Sequence, residues 1–121
     1  MTKRVVFDVN ILVSAILAPD GTPARALRLA AEQKWEIARS PHIVTKLLDV
    51  VWRPHIAGRF EPNVLNAYLG EFQRISTSFV PDPTVTGIAD DEEDDRVLGT
   101  AVAARADLIV TGDKRLLALR A

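Results

Sequence analysis

The sequence predicts an α/β protein built on a parallel sheet with helices on both faces. Three observations predict it. Short apolar runs rich in β-branched residues alternate with helical patterns along the whole chain. Strands separated by helices need crossover connections, and such crossovers build parallel sheets. The chain has 121 residues, the size of one domain (residues 1–121) with a real core. The right-handed crossover rule then limits the topology.

Val5-Val6-Phe7 fits a short buried strand, and it ends in Asp8. Asn10 to Leu17 reads as a helix closed by the turn cluster Ala18-Pro19-Asp20-Gly21. Thr22 is a good N-cap residue with Pro23 at the first helical position, and Ala26, Leu27, Ala30 and Ala31 give that helix its apolar face. Trp35 to Ala38 reads as the second strand. Ser40-Pro41 repeats the cap-then-proline signal before Ile43, Leu47, Val50 and Val51, with a helix end near Trp52-Arg53-Pro54. His55 to Glu61 reads as a connector. Pro62 opens a helix with Val64, Leu65, Tyr68, Leu69 and Phe72 on one face, and Ile75 to Val80 reads as the third strand. Val97, Leu98, Ala101 and Val102 mark another helix, Asp107 to Val110 a fourth strand, and a last helix starts near Lys114.

Composition excludes several classes of function. Net charge is −1, so nucleic-acid binding would need a local basic patch rather than a polycationic surface. The absence of cysteine removes disulfides, thiolate metal sites and a cysteine nucleophile, and it fits a cytoplasmic location. No run approaches a membrane span, and the N-terminal apolar stretch is too short for a signal peptide. The phosphate-cradling loops G-x-x-x-x-G-K-[ST] and G-x-G-x-x-G are missing, as is a G-x-S-x-G elbow.

The chemistry-bearing residues are acids. Val5-Val6-Phe7-Asp8 and Leu108-Ile109-Val110-Thr111-Gly112-Asp113 each deliver an aspartate just past an apolar strand. That edge of an open α/β sheet is where ligands bind. Neighbouring strands lie about 4.8 Å apart, so two such ends can bring carboxylates to one ion. Helix capping is the competing use of Asp8 and Asp113. Between the two strands, Asp90, Asp91, Glu92, Glu93, Asp94 and Asp95 form an unbroken run of six acids before a helix. One or two acids in a first turn gain about 0.3–1 kcal/mol each from the helix dipole. Six cannot, because neighbours about 6 Å apart repel by about 0.7 kcal/mol per pair even in water. Either the run is a solvated acidic loop or some of its members face inward and bind a cation. Asp91 and Asp94, three apart, can share a face, and Asp94 or Asp95 is expected to cap the helix. A carboxylate set without cysteine or clustered histidine suits Mg²⁺ or Mn²⁺, since His42 and His55 are isolated. Arg25, Arg28, Arg53, Arg59, Lys114 and Arg115 are candidates for phosphate contacts, or ordinary surface charges.

The segments VVFDVNILVSAIL, SPHIVTKLLDVVWRP and DDEEDDRVLGTAVAARADLIVTGDKRLLAL carry a resemblance. In that order the chain resembles PIN-domain ribonucleases, in particular the bacterial, VapC-like toxin components of toxin–antitoxin pairs. The resemblance implies a three-layer α/β/α, Rossmann-like fold with a central parallel sheet of four or five strands. It implies a Mg²⁺- or Mn²⁺-dependent endonuclease acting on single-stranded RNA, an antitoxin partner and a homodimer. By position, Asp8, Asp94 and Asp113 match the metal-binding and catalytic aspartates, with Asp91 as companion. Asn10 and Thr111 match the residues that support them.

Two features depart from the pattern. Lys46 stands where the family usually places a glutamate, which puts a positive charge near the expected cation; Asp49, one turn further along, is a substitute acid. The family pattern also continues with another strand after Leu116-Leu117-Ala118-Leu119. The first departure sustains a rival reading, a catalytically weakened PIN domain retained to bind an antitoxin or RNA. A second rival is a phosphotransfer protein. Dehalogenase-like phosphatases also begin with a strand and an aspartate, but they need a second aspartate where this chain has Asn10. Receiver domains place their acidic pair after the first strand, whereas here the acidic cluster comes late.

Overall fold

The structure, a computed structural model, describes residues 3–80 and 92–111, the side chains of 92–96 excepted. Strand β1 (Arg4–Phe7) leads into helices α1 (Val9–Leu17) and α2 (Thr22–Glu32), then strand β2 (Glu36–Arg39). Helices α3 (Pro41–Val51), α4 (Pro54–Ala57) and α5 (Pro62–Ile75) lead to strand β3 (Ser76–Ser78). Helix α6 (Glu92–Ala104) and strand β4 (Leu108–Val110) follow. The four strands form one parallel sheet in the order β3-β2-β1-β4.

Side chains alternate across a strand, and β1 is buried on both faces, with Val5, Val6 and Phe7 all in the core. α2 lies over the face that Val5 and Phe7 present, and α6 also packs on β1 and β2. The sheet with its helices makes the three-layer α/β/α arrangement. The core joins Leu12, Val13 and Ile16 of α1, Ile43, Leu47 and Val51 of α3, and Leu65, Leu69 and Phe72 of α5. On α3 and α5 these residues recur at intervals of three and four, the spacing of one helical face. Val97, Ala101 and Ala104 supply the matching stripe of α6.

Several boundaries differ from the sequence expectation, each for a local reason. The N-cap of α2 is Gly21, whose carbonyl accepts from Arg25 N at 3.1 Å; Thr22 is already helical, and its hydroxyl makes no cap bond. Ser40 does cap α3, its hydroxyl accepting from Ile43 N at 3.2 Å. The expected connector after Pro54 contains the short helix α4, held by the buried Ile56. β3 is shorter than expected because Ile75 completes α5 rather than starting the strand. α6 begins at Glu92, inside the acidic run, so neither Asp94 nor Asp95 is its cap. Val64 and Val102 point to solvent, because each lies off the buried stripe of its helix. The helix expected from Lys114 lies outside the described residues. No helix among the described residues is long and apolar enough to cross a membrane.

Candidate active site at the carboxyl edge of the sheet

The strand order makes a crevice. The chain moves outward from β1 through β2 to β3, then returns to the far side of β1 as β4. In open α/β sheets, ligands bind outside the carboxyl ends of the strands at such a reversal. β1 and β4 pair with Phe7 opposite Val110, so the next residues, Asp8 and Thr111, meet at that edge.

Asp8 is held there by its backbone. Its N–H donates to Val110 O at 3.0 Å, and its carbonyl accepts from Ile11 N and Leu12 N at 3.0 and 3.2 Å. The residue is extended, with φ −62 and ψ 148, and occupies the N-cap position of α1. Its side chain makes no cap hydrogen bond. Instead Thr111 Oγ1 donates to Asp8 Oδ2 at 2.8 Å, across 103 positions of sequence. Asp8 is 7% exposed, so the residue is buried beside the Thr111 hydroxyl that donates to it.

Burying a carboxylate costs several kcal/mol, at least ~3, unless it is paired. A hydrogen bond to a charged group returns about 1.5–3 kcal/mol. A capping role would spend the carboxylate on backbone N–H groups, and here it makes no such bond and accepts from Thr111 instead. A buried oxygen donor with a neutral hydroxyl as its described support fits a hard cation.

A family comparison gives this edge its context. The sequence model of the PIN domain matches residues 4–115. The chain belongs to the PIN-domain family. PIN domains are generally nucleases and generally use divalent metal ions, which agrees with the chemistry of the crevice. An uncharacterized protein of Methanocaldococcus jannaschii is 31% identical over 126 aligned positions, covering 97% of this chain and 75% of that protein. No solved structure matches the chain at a significant level.

The remaining expected site residues of this PIN domain are placed as follows. Asn10 is exposed in the first turn of α1, two residues beyond Asp8. Lys46 is half-buried on α3, which packs against α1 and α6, and its side chain is engaged. Asp49 is exposed and pairs with Arg53 at 3.0 Å, so its charge is directed along α3. Asp91 and Asp113 lie outside the described residues. Asp94 belongs to the first turn of α6, with its side chain outside the description. Among the described residues no three acids or histidines gather as a metal cluster; of the four expected metal-binding acids, Asp8 is the one whose side chain is described.

Of the phosphate-contact candidates, Arg28 Nη1 donates to Pro19 O at 2.8 Å and ties α2 to the preceding turn. Arg53 is paired as above, Arg25 and Arg59 are exposed, and Lys114 and Arg115 lie outside the described residues. Sequence reasoning gave no special role to Tyr68. Its hydroxyl donates to Leu12 O at 3.0 Å, pinning α1, the helix that follows Asp8, to α5. Burial pushes the phenol up to about 12. The available signal was a polar-tipped aromatic on an otherwise aliphatic stripe.

Proposed function

We propose that this PIN domain is a Mg²⁺- or Mn²⁺-dependent endoribonuclease, the toxin of a toxin–antitoxin pair. The observation that carries the enzymatic part is the buried Asp8 carboxylate, turned away from helix capping and supported by Thr111 at the strand-order reversal. Asp8, Asp94 and Asp113, with Asp91 beside them, are the residues that would hold the ion. The chemistry a bound divalent ion supplies is polarisation of a phosphate oxygen and activation of water for in-line attack. The chain's own part is positional. Asp8 is fixed at three backbone points, and Thr111 orients its carboxylate. Asn10, exposed two residues beyond Asp8, is the polar side chain that would reach substrate or water. Without a cation, clustered carboxylates would repel an RNA backbone, so the ion serves binding as well as chemistry.

The toxin role, the antitoxin partner, a homodimer and a cytoplasmic setting are supported by the likeness of three segments to VapC-like toxins. The test is cleavage of single-stranded RNA with Mg²⁺ or Mn²⁺, comparing wild type with Asp8→Ala. Cleavage by wild type and its loss in the variant is the expected result. Growth arrest on expression, relieved by Asp8→Ala, tests the toxin role separately.

Lys46 favours a second reading, a PIN scaffold with a weakened metal site that binds an antitoxin or RNA. Lys46 is half-buried and engaged on a helix packed against both α1 and α6, and a positive charge there would oppose a cation at the carboxylate edge. Calorimetric Mn²⁺ titration decides between the readings. Weak binding in wild type, with gain of both binding and cleavage in Lys46→Glu, selects the weakened site. If wild type and Lys46→Glu both fail to cleave, the enzymatic reading is lost.

A further inference from the structure

Helix α2 carries a face that the described residues leave uncovered. Leu29 on that face is 56% exposed. Arg25 lies four residues before it and Glu32 three after it, so the three share one side of the helix. Both charged residues are exposed, and neither has an ion-pair partner among the described residues. Beside this face stands β4, the outer strand of the four, whose Leu108 is 49% exposed. Leu108 lines a shallow apolar groove together with Ala26, Leu29 and Gln33 of α2.

The two charges do not serve the helix that carries them. A helix dipole favours acids in the first turn and bases in the last. α2 has neither; Arg25 closes its first turn and Glu32 is its final residue. That arrangement is self-complementary across a two-fold axis. An axis through Leu29 sets a second α2 antiparallel to the first. At about 1.5 Å per residue, Arg25 lies about 6 Å from Leu29 along the helix and Glu32 about 4.5 Å the other way. The rotation reverses the helix, so Arg25 of one copy falls within about 1.5 Å of the level of the partner's Glu32. At about 100° per residue both charges lie on one flank of Leu29, about 40° and 60° round from it, so they also match sideways. The other flank carries the uncharged Ala26 and Gln33, with Leu108 beyond them. Leu48 and Trp52 make another exposed apolar pair, at the end of α3. The charges beside them, Asp49 and Arg53, already pair with each other at 3.0 Å.

We propose that α2, with Leu108 of β4 beside it, is the surface on which a second copy of this chain docks, α2 against α2 about a two-fold axis through Leu29. The inference rests on the homodimer of the reading above and gives it a location. Leu29 packs on the partner's Leu29, and Leu108 adds apolar surface on one flank. Two pairs of Arg25 with the partner's Glu32 close the other flank. Charge decides the occupant. A polyanion would match Arg25 and be repelled by Glu32, a cationic partner the reverse, whereas a second copy matches both. α2 runs from the carboxyl edge of the sheet to its amino edge, against the strands it joins. The antiparallel pairing therefore points the two Asp8–Thr111 edges toward opposite ends of the dimer, where neither obstructs the other.

The test is sedimentation equilibrium of the full chain, which reads the dissociation constant of the dimer. Arg25→Glu and Glu32→Arg are each expected to weaken the dimer about tenfold or more, because each sets two like-charge pairs across the axis. Combining them restores opposite charges, so the double variant should return to within about threefold of wild type. The double variant also agrees with the helix dipole, so its thermal melt should be no lower than that of wild type, which separates lost association from lost folding. The chain holds no cysteine, so Leu29→Cys places a single thiol on the axis. Helices packed about 8–10 Å apart bring two such thiols within bridging reach. Oxidised glutathione should then give a disulfide-linked dimer with Leu29→Cys and none with Val64→Cys, which is exposed on α5. Single reversals that keep the wild-type dissociation constant overturn the surface and leave the homodimer standing on another one. Failure of the double variant to recover, or equal cross-linking at the two positions, overturns the surface as well. A wild type that stays monomeric at every concentration overturns both the surface and the homodimer, and RNA cleavage then decides the nuclease reading on its own.

Discussion

Replacing Asp8 by asparagine preserves the shape of the side chain and still lets Thr111 donate to its oxygen. It removes a buried charge that one neutral hydroxyl supports among the described residues. Asp8→Asn should therefore leave metal-free thermal stability equal or higher while cutting RNA cleavage by about a hundredfold or more. Loss of stability comparable to a core mutation would mean the carboxylate serves the fold instead. Mn²⁺ should raise the melting temperature of wild type and leave Asp8→Asn unmoved, because a ligand stabilises only the state that binds it. Thr111→Val should cost about 1.5–3 kcal/mol in urea unfolding, the range for a hydrogen bond to a charged group. Tyr68 gives a pH signature. Burial raises its phenol from 10.0 to about 12 in the folded chain, so the folded state holds this proton more tightly. Its contribution is complete below pH 10 and is lost as pH rises through about 12. Tyr68→Phe should lower stability by about 0.5–1.5 kcal/mol at neutral pH. It should also flatten the decline measured in melts across the alkaline range.

Among the elements, legibility followed the chemistry of each end. Ser40-Pro41 announces α3 because a hydroxyl and a fixed φ are both visible in the residue types, and the structure shows the cap bond to Ile43. Ser40→Ala should destabilise by about 1 kcal/mol on chemical unfolding, since the cap bond is buried. Thr22 looked equally good and is not the cap, because Gly21 before it takes the extended conformation and leaves Thr22 inside the helix. The start of α6 was unreadable for another reason. Six acids in a row offer several equivalent caps, and the apolar stripe from Val97 says only where burial begins. The left-handed helix ends at Lys34 and Arg105 were hidden too, since a turn signal normally needs glycine or asparagine.

For the molecule as a whole, the alternation of strands and helices was enough to anticipate a parallel sheet, and the sheet is parallel throughout. Strand order was not legible from pattern alone, because hydrophobic periodicity says which faces are buried and nothing about neighbours. That is why the partnership of Asp8 with Thr111 appears only once β4 is seen beside β1. Both signs of charge lie at the amino edge, where Arg4 pairs with Glu36 and the Asp107 carboxylate accepts from the Arg4 backbone N–H.

Because β1 sits between β2 and β4, its last partner is made last. On a ribosome the hydrophobic strand Val5-Val6-Phe7 emerges about a hundred codons before residues 108–110, which complete its second edge. At elongation speeds of roughly 5–20 residues per second, that delay lasts on the order of five to twenty seconds. Until residues 108–110 emerge, a nascent chain of this topology carries an open, sticky ribbon, and over that interval it is a candidate client for holding chaperones.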